Sequence, residues 1–273
     1  MSGMYSCILH SPQIHVCPGN HDVDKITADD KFFQGYEHRF RMPRIQPPQL
    51  GQAEPGKRYN SGALPYPLPY EYGNAYYDFQ YGQAHIVVLS AYSNMNPGSM
   101  QHTWLTETLQ TKVNRNVTPW LLVMLHVPLY NTFLTHQDDV QVLKASEHLE
   151  PLFVQYKVNI VVSGHVHAYM RSKPVRFGQA VDDDKGPVYL IVGSSGDAAA
   201  PFRQEEPEDF VAFRDESSFG YGLLHIYNRT TAVWEWQHTQ SHRESNRVGP
   251  YKNQTVPIQD DADWVILDNQ YFL

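Results

Sequence analysis

The chain has 273 residues, enough for one large domain that would bury about three quarters of its unfolded surface on folding. Its 29 acidic and 21 basic residues give a formal net charge of -8, which argues against a nucleic-acid partner bound mainly through its phosphates. No apolar run reaches the ~18 residues that a membrane-spanning helix requires, so we expect no membrane partner.

The first part of the chain alternates between apolar strands and amphipathic helices. A short β run is halted by Pro18-Gly19, and aromatic residues at helical spacing then predict a helix that ends at Pro43. A loop rich in Pro, Gly and Tyr leads to two strands joined by a turn at Tyr81-Gly82. In chain order the predicted elements are strand 14–17, helix 31–42, loop 43–72, strands 75–79 and 85–90, helix 100–113, strand 120–125, helix 146–156 and strand 157–162. This alternation indicates an α/β fold.

The pattern changes after His167, where consecutive strands follow with few helices between them. We predict these strands at 188–192, 220–227 and 231–236, and they point to a second, more antiparallel sheet. The tail from Ser241 is polar, and we expect it to wrap the surface.

Metal-binding residue types occupy three loops, each of which follows an apolar strand. The loops are Gly19-Asn20-His21-Asp22, the residue His126 after Leu121–Leu125, and Gly164-His165-Val166-His167 after Ile160–Val162. Strand–loop junctions present reactive side chains at the carboxyl edge of an α/β sheet. One amide oxygen and three imidazoles suit a borderline divalent ion such as zinc, iron(II) or manganese.

Each motif has a less specific interpretation when it is taken alone. Gly-Asn-His-Asp also fits an Asx-type turn with an exposed histidine, although His21 there could give a proton to a substrate or take one. A lone histidine at a strand end, such as His126, is commonly a hydrogen-bonded structural residue. The pair His165 and His167 is more specific, because two imidazoles at i and i+2 can address one ion or two neighbouring ions.

Together the three motifs resemble the purple acid phosphatases of the calcineurin-like metallophosphoesterase superfamily. That family shows an early Asp, then Gly-Asp-x-x-Tyr, Gly-Asn-His-Asp/Glu, Val-x-x-His and Gly-His-x-His, of which this chain carries the last three. Stretches such as Tyr36–Pro43 and Asn228–Trp236 also look like the family. The resemblance implies an α/β/β/α sandwich, in which two mixed β-sheets lie between helices. It also implies one catalytic domain over 1–273, whose C-terminal strand region lies at about 186–240.

The resemblance further implies a dinuclear centre of iron plus zinc, manganese or iron, which hydrolyses phosphate monoesters at acidic pH by a metal-bound hydroxide. It assigns roles to six residues: Asn20, His126 and His165 as ligands of the divalent ion, His167 as a ligand of the neighbouring iron(III), and His21 and His136 as histidines that contact the phosphate. Of these, His136 lies in a loop of no fixed pattern, ten residues after His126.

The chain departs from the family pattern at its start. The early Asp and the Gly-Asp-x-x-Tyr motif are absent, and no acidic residue precedes Asp22. We therefore expect a chain that is incomplete at its N-terminus, lacks the first strand–helix units and holds only one divalent ion. We expect the other nearby carboxylates, such as Asp138 and Asp139, to cap helix or loop starts.

Three alternatives to a competent phosphatase stay open. The chain could be a catalytically impaired fragment, a non-catalytic glycoprotein that binds phosphate or a phosphorylated partner, or a phosphodiesterase or pyrophosphatase of the same superfamily. Three N-glycosylation sequons, at Asn116, Asn228 and Asn253, and the family resemblance favour a secreted or vacuolar/lysosomal protein, although the chain begins with no convincing signal peptide. For Cys7 and Cys17, free thiols are favoured over a disulfide.

Overall fold

The computed structural model describes residues 13–23, 33–44, 70–181, 185–194, 200–241, 263–269 and 271–272. Its strands are β1 (Tyr77–Tyr81), β2 (Ala84–Val88), β3 (Trp120–Met124), β4 (Ile160–Ser163), β5 (Tyr169–Arg176), β6 (Gln179–Ala180), β7 (Val188–Val192), β8 (Val211–Asp215), β9 (Ser218–Ile226), β10 (Thr231–Ser241) and β11 (Trp264–Asp268). Its α-helices are α1 (Gln34–Arg39), α2 (Met100–Glu107), α3 (Val140–His148) and α4 (Glu150–Gln155); a 3-10 turn forms at Asn20–Asp22, and a π-helical turn, Thr108–Lys112, extends α2.

Two sheets form the centre of the described fold. The larger one has the strand order β1-β2-β3-β4-β7-β5-β6, with β8 beside β5, and its strands β2, β3, β4 and β7 run parallel to one another. Parallel neighbours need long crossover connections, and α2 and then the pair α3 and α4 supply the first two of them. The smaller sheet, β9, β10 and β11, is antiparallel. The predicted α/β class with a second, antiparallel sheet is confirmed.

The alternation of side chains along each strand divides the core into two layers. In β3, Leu121 and Val123 pack on the helix side, with residues of α1, α2, α3 and α4. Their neighbours Trp120 and Leu122 point to the opposite face and pack against the smaller sheet, including Trp234. Both faces of β3 are therefore covered, which explains why its sequence is a continuous apolar run. Among the described residues helices cover one side only, and the outer face of the smaller sheet exposes side chains of β9 and β11, namely Tyr221, Leu223, Trp264 and Ile266.

A buried polar network ties the two sheets together. Asp263, just before β11, accepts hydrogen bonds from Arg171 Nε and Nη2, both at 2.7 Å, and from the Tyr169 hydroxyl at 2.6 Å. Trp234 of β10 donates to the same Tyr169 hydroxyl at 2.9 Å. Because Tyr169 and Arg171 belong to β5, this charged and bidentate contact fixes the smaller sheet on the larger one.

Several predicted elements differ from the structure, and the first is the strand at 14–17. This segment is extended but joins no sheet, so the prediction was wrong. Two tyrosine hydroxyls hold it instead: Tyr36 and Tyr77 donate to Val16 O at 3.0 and 2.8 Å, and Val16 N donates to Tyr77 Oη at 3.1 Å. Side-chain partners thus replace the ladder that a strand would need.

The predicted helix 146–156 is part of a longer helical region that is broken in two. α3 begins at Val140, and α4 follows after Leu149, with Pro151 in its first turn. Proline lacks the N–H that would continue the preceding helix, so the chain changes direction there. The strands β5, β6, β8 and β11 were not predicted, and most of the predicted loop 43–72 lies outside the described residues.

Several other sequence features can be placed on the structure. No helix among the described residues is long and apolar enough to cross a membrane. Cys17 is a free thiol, whereas Cys7 lies outside the described residues. The sequon residues Asn116 and Asn228 are exposed, and Asn253 lies outside the described part of the chain.

Glu71 is a partly buried carboxyl group whose ionisation opposes folding. It accepts hydrogen bonds from Asn94 N at 2.6 Å and from the Tyr76 hydroxyl at 3.1 Å, yet desolvation raises its pKa from 4.5 to about 7. Because the pKa of Glu71 is higher in the folded state than in the unfolded chain, the protonated carboxyl group favours the folded state. This contribution to the free energy of unfolding is complete below pH 4.5 and is lost as the pH rises through 7. We expect the change Glu71→Gln to remove up to about 3 kcal/mol of this pH dependence.

Urea denaturation at pH 5 and pH 8 tests this prediction. The Glu71→Gln variant should lose less free energy of unfolding between the two pH values than the unsubstituted chain. Glu107→Gln, at an exposed position of α2, is the matched control and should follow the unsubstituted chain. Equal pH profiles for all three proteins would contradict the prediction.

Candidate metal centre

Three neighbouring parallel strands end at one edge of the larger sheet, and the candidate residues follow these ends. His126 follows β3, His165 follows β4, and Gly193 follows β7 directly. The loops are joined by their backbones, because Gly164 N donates to His126 O at 3.0 Å. Carboxyl ends of adjacent parallel strands are where α/β proteins form ligand sites.

A cavity of about 360 Å³ opens at this edge. Its volume lies in the range of pockets that hold small ligands. All six predicted site residues line it, together with three residues of the strand ends: Asn20, His21, His126, His136, Gly164, His165, His167, Val192 and Gly193. The structure therefore brings together residues that lie more than a hundred positions apart, while their roles as ligands and catalytic groups stay predictions.

Three potential ligand atoms meet at His126. Its Nε2 atom lies 2.9 Å from Asn20 Oδ1 and 3.1 Å from His165 Nδ1. Burial, and then the neighbouring His165 and other histidines, lower the pKa of His126 to about 3. Its imidazole is therefore neutral above that pH and carries a single N–H.

The hydrogens available to these three atoms are too few for hydrogen bonding alone. His165 Nε2 lies 2.9 Å from the Asp139 carboxylate and donates its ring hydrogen there, while burial lowers the pKa of His165. The Nδ1 atom of His165 is then a hydrogen-bond acceptor, and so is Asn20 Oδ1. At most one hydrogen, the ring hydrogen of His126, is therefore available to this group of three atoms. A divalent cation would engage all three lone pairs, and an N,N,O donor set fits a borderline ion such as zinc.

His167 lines the same cavity, but it does not belong to the cluster of metal-ligating side chains found there. Within the described ranges, one cluster of three metal-ligating side chains of the His, Cys, Asp or Glu type is found, and it comprises His136, Asp139 and His165 without His167. The motif Gly-Asp-x-x-Tyr, which provides Asp and Tyr ligands of iron(III) in the family pattern, does not occur in this sequence. The described residues thus fit one divalent ion and do not provide the oxygen ligands of a neighbouring iron(III).

Asp139 is a site residue that the sequence analysis assigned to a different role. We expected it to cap a helix, and it does occupy the residue before α3, but its side chain makes no capping hydrogen bond. Its Oδ2 atom instead lies 2.9 Å from both His136 Nδ1 and His165 Nε2. The capping prediction was therefore wrong. The spacing of His136 and Asp139 was the one local indication, and the contact with His165 spans 26 residues.

Two of the cavity histidines have strained backbones. His136 and His165 have φ angles of 61° and 66°, in the left-handed region that residues with a Cβ atom rarely adopt. Such conformations cost on the order of 1–3 kcal/mol each and cluster at functional sites. The strain indicates that the surrounding loops fix the directions of these two imidazoles.

Gly19 is needed for space rather than for a sharp turn. The sequence suggested that Pro18-Gly19 lets the chain turn, but Gly19 has an extended backbone with φ of -112°. A Cβ atom there would lie 3.0 Å from His126 Cε1. The absence of a side chain at residue 19 therefore lets the His126 ring sit beside the loop that carries Asn20.

Gly193 and Gly164 differ sharply in what a methyl group would meet. A Cβ at Gly193 would lie 1.9 Å from Val166 O, a backbone atom between His165 and His167, whereas a Cβ at Gly164 would have 3.8 Å to its nearest neighbour. We expect Gly193→Ala to displace that loop, to lower the free energy of unfolding by about 1–3 kcal/mol and to weaken Zn²⁺ binding at least about tenfold.

The matched control is Gly164→Ala, which adds the same methyl group at ordinary contact distance. Urea denaturation and Zn²⁺ titration with a competing chromophoric chelator measure both effects. Gly164→Ala should keep the stability and the affinity of the unsubstituted chain. The prediction fails if the two variants behave alike.

Comparison with known proteins identifies related chains. Residues 3–169 match the family model described as calcineurin-like phosphoesterase, and residues 186–248 match the model described as iron/zinc purple acid phosphatase-like protein C. The chain is 38% identical over 209 residues to purple acid phosphatase 1 of Ipomoea batatas, an alignment that covers 71% of this chain and 42% of that protein. It is 35% identical over 206 residues to Fe(3+)-Zn(2+) purple acid phosphatase 12 of Arabidopsis thaliana, covering 71% of this chain and 43% of the relative.

The chain spans about half the length of the curated relatives it matches. Among solved structures, the purple acid phosphatase PPD1 from yellow lupin (Lupinus luteus) seeds has a TM-score of 0.55 and 23% identity, over 61% of this chain and 32% of that chain. This likeness concerns the fold alone. The single domain over 1–273 and its strand region at 186–240 stay predictions.

Proposed function

Because this chain belongs to the calcineurin-like phosphoesterase family and is related to the purple acid phosphatases, we propose that it hydrolyses phosphate monoesters with a metal ion. The observation that carries the proposal is the meeting of Asn20 Oδ1, His126 Nε2 and His165 Nδ1 in one cavity. These atoms would hold a divalent ion such as zinc, manganese or iron(II).

When bound, such an ion polarises the phosphoryl group and lowers the pKa of water for attack on phosphorus. The chain's own residues bind and orient the substrate. His21 and His136 line the cavity beside the three ligand atoms, where protonated imidazoles would neutralise the phosphate oxygens. Either could then donate a proton to the leaving alkoxide. Histidine side chains gain their charge as the pH falls below neutrality, so we place the activity at acidic pH.

The proposal includes one ion rather than the dinuclear centre of the family. His167 would be the remaining ligand of a second ion, and the described cluster of His136, Asp139 and His165 does not include it. The Arabidopsis relative is named for Fe(3+) and Zn(2+), and that pair is proposed here only for a chain that carries the Asp and Tyr ligands as well. For this chain, we propose that one ion is bound and that turnover is slow.

An activity assay on metal-loaded protein tests the proposal. The purified chain is stripped with a chelator and loaded with Zn²⁺, Mn²⁺ or Fe²⁺ in turn. It is then given p-nitrophenyl phosphate and bis-p-nitrophenyl phosphate between pH 4 and pH 8. Metal-dependent hydrolysis of the monoester, fastest below pH 7 and reduced by His21→Ala, is the expected result.

Two other results would replace the proposal with one of its rivals. Stoichiometric metal without turnover of either substrate would favour a non-catalytic protein that binds phosphate or a phosphorylated partner. Faster cleavage of the diester would favour a phosphodiesterase. No metal binding at all would end the proposal.

The location of the protein and its partners are part of the same proposal. The exposed sequon residues Asn116 and Asn228 can accept glycans, which supports a secreted or vacuolar/lysosomal glycoprotein. A phosphate monoester is the proposed partner, with no nucleic acid and no membrane. Peptide-N-glycosidase treatment of protein from its native source, followed by a shift in mass, would test the glycosylation.

A further inference from the structure

One carboxylate oxygen joins two histidines of the cavity. Asp139 Oδ2 lies 2.9 Å from His136 Nδ1 and 2.9 Å from His165 Nε2. The two imidazole rings are in contact and tilted, with centroids 3.8 Å apart and planes at 38°. The His165 ring is 6% exposed, whereas Asp139 is 36% exposed and His136 35%, so the carboxylate reaches the buried ring from the cavity rim.

We propose that Asp139 is a positioning residue that sets the tautomers of His165 and His136 together. By accepting the Nε2 hydrogen of His165, it leaves the Nδ1 lone pair of that ring beside His126 Nε2, which in turn contacts Asn20 Oδ1. By accepting the Nδ1 hydrogen of His136, it leaves the Nε2 atom of that ring for the substrate. The inference deepens the proposed metal site and rests on it.

Carboxylate partners of this kind orient metal-binding histidines and raise their basicity, and their loss commonly reduces metal affinity 10- to 100-fold. Asp139 is well suited to the role, because one carboxylate oxygen has lone pairs for two N–H donors. Its side chain is not used for capping α3, although its position would allow that. Both histidines also have left-handed backbones, so the carboxylate fixes two strained loops at one point.

A direct role of Asp139 as a metal ligand is less consistent with the same distances. An ion bound by His136, Asp139 and His165 would occupy the Nε2 atom of His165. The Nδ1 atom of that ring already faces His126, so an ion on each side would require His165 to lose both ring hydrogens. A hydrogen-bonded carboxylate leaves the ring as an ordinary neutral imidazole.

Three variants test the proposal. Asp139→Ala removes the oxygen that accepts both ring hydrogens, and α3 loses no capping hydrogen bond with it. Asp139→Glu keeps the carboxylate and should retain much of the tautomer preference and of the affinity. Asp138→Ala is the matched control, because Asp138 is the exposed neighbour and loses the same side chain and charge.

Two measurements separate positioning from ligation. Long-range ¹H–¹⁵N spectra of the metal-free chain report which ring nitrogen of His136 and of His165 carries the hydrogen. Zn²⁺ titration against a chromophoric chelator reports affinity. In Asp139→Ala we expect at least one ring to change tautomer and the affinity for Zn²⁺ to fall 10- to 100-fold. Asp138→Ala should match the unsubstituted chain in both measurements.

Each other outcome overturns the proposal. Unchanged tautomers in Asp139→Ala exclude positioning, and unchanged tautomers with lost Zn²⁺ binding would make Asp139 a direct ligand. Changed tautomers with unchanged affinity would show that the bridge does not serve the ion. Absence of phosphatase turnover would contradict the proposed function only, because the spectra and the titration do not depend on catalysis.

Discussion

Replacing His126 by alanine is expected to reduce the affinity of the chain for Zn²⁺ by about 100- to 1000-fold. His126 Nε2 is the atom that touches both other potential ligands, Asn20 Oδ1 and His165 Nδ1. Structural zinc sites gain about 10–16 kcal/mol from four ligands, or roughly 2.5–4 kcal/mol for each, and 1.4 kcal/mol corresponds to a factor of ten. Zn²⁺ titration against a competing chelator measures the change.

The control for this variant is His225→Ala, which removes an exposed imidazole from β9. Circular dichroism of both variants shows whether the α/β fold is kept. His225→Ala should bind Zn²⁺ like the unsubstituted chain. If His126→Ala retains full affinity while folded, the three atoms around His126 do not form the metal site.

The second large effect is expected at the contact between the two sheets. Replacing Asp263 by asparagine should lower the free energy of unfolding by about 3–5 kcal/mol, because removal of one partner leaves a buried charge without compensation. The partner is Arg171, whose side chain is 14% exposed, against 5% for Asp263. Asparagine cannot accept both guanidinium hydrogen bonds and also the hydroxyl of Tyr169.

Guanidinium chloride denaturation at pH 7 measures this loss, and Asp268→Asn at the exposed end of β11 is the matched control. The double variant Asp263→Asn with Arg171→Met should recover part of the stability, since it removes the unpaired guanidinium as well. A loss below about 1 kcal/mol for Asp263→Asn would show that water solvates Arg171 well enough to replace the carboxylate.

The parts of the fold that were predictable from sequence are those fixed by local patterns. Strands β2, β3, β4 and β7 are largely buried on both faces, so each contains a run of apolar residues that indicates a strand. The alternation of these runs with helical segments gave the correct α/β class. β11 was missed because the tail from Ser241 was treated as polar throughout, although its residues 264–267 form an apolar run that is typical of a strand. Its pairing with β10 is a contact that the run itself does not specify.

The candidate site was predictable to a similar degree. Strand–loop positions identified His126 and the His165/His167 pair, because a parallel sheet brings such ends together. Asn20 was identified from a predicted strand that the structure does not contain, since the segment before it joins no sheet. An Asx turn is a local structure, so that interpretation of Asn20 did not predict the contact of Asn20 with His126, which lies 106 residues further along the chain. Asp139 could not be identified from sequence, since its place before α3 has an ordinary explanation, and only the folded chain brings it to His165.

The position of His165 between two groups has a thermodynamic consequence. Its Nδ1 atom faces His126, and its Nε2 atom faces the carboxylate that also holds His136. An ion that binds to the Nδ1 atom must therefore alter the hydrogen bond at the Nε2 atom. Linkage is reciprocal, so if the ion changes the affinity of the cavity for an anion by some factor, the anion changes the affinity for the ion equally. If the ion and the anion bind as proposed, a single imidazole would couple their two subsites, which would then not be independent.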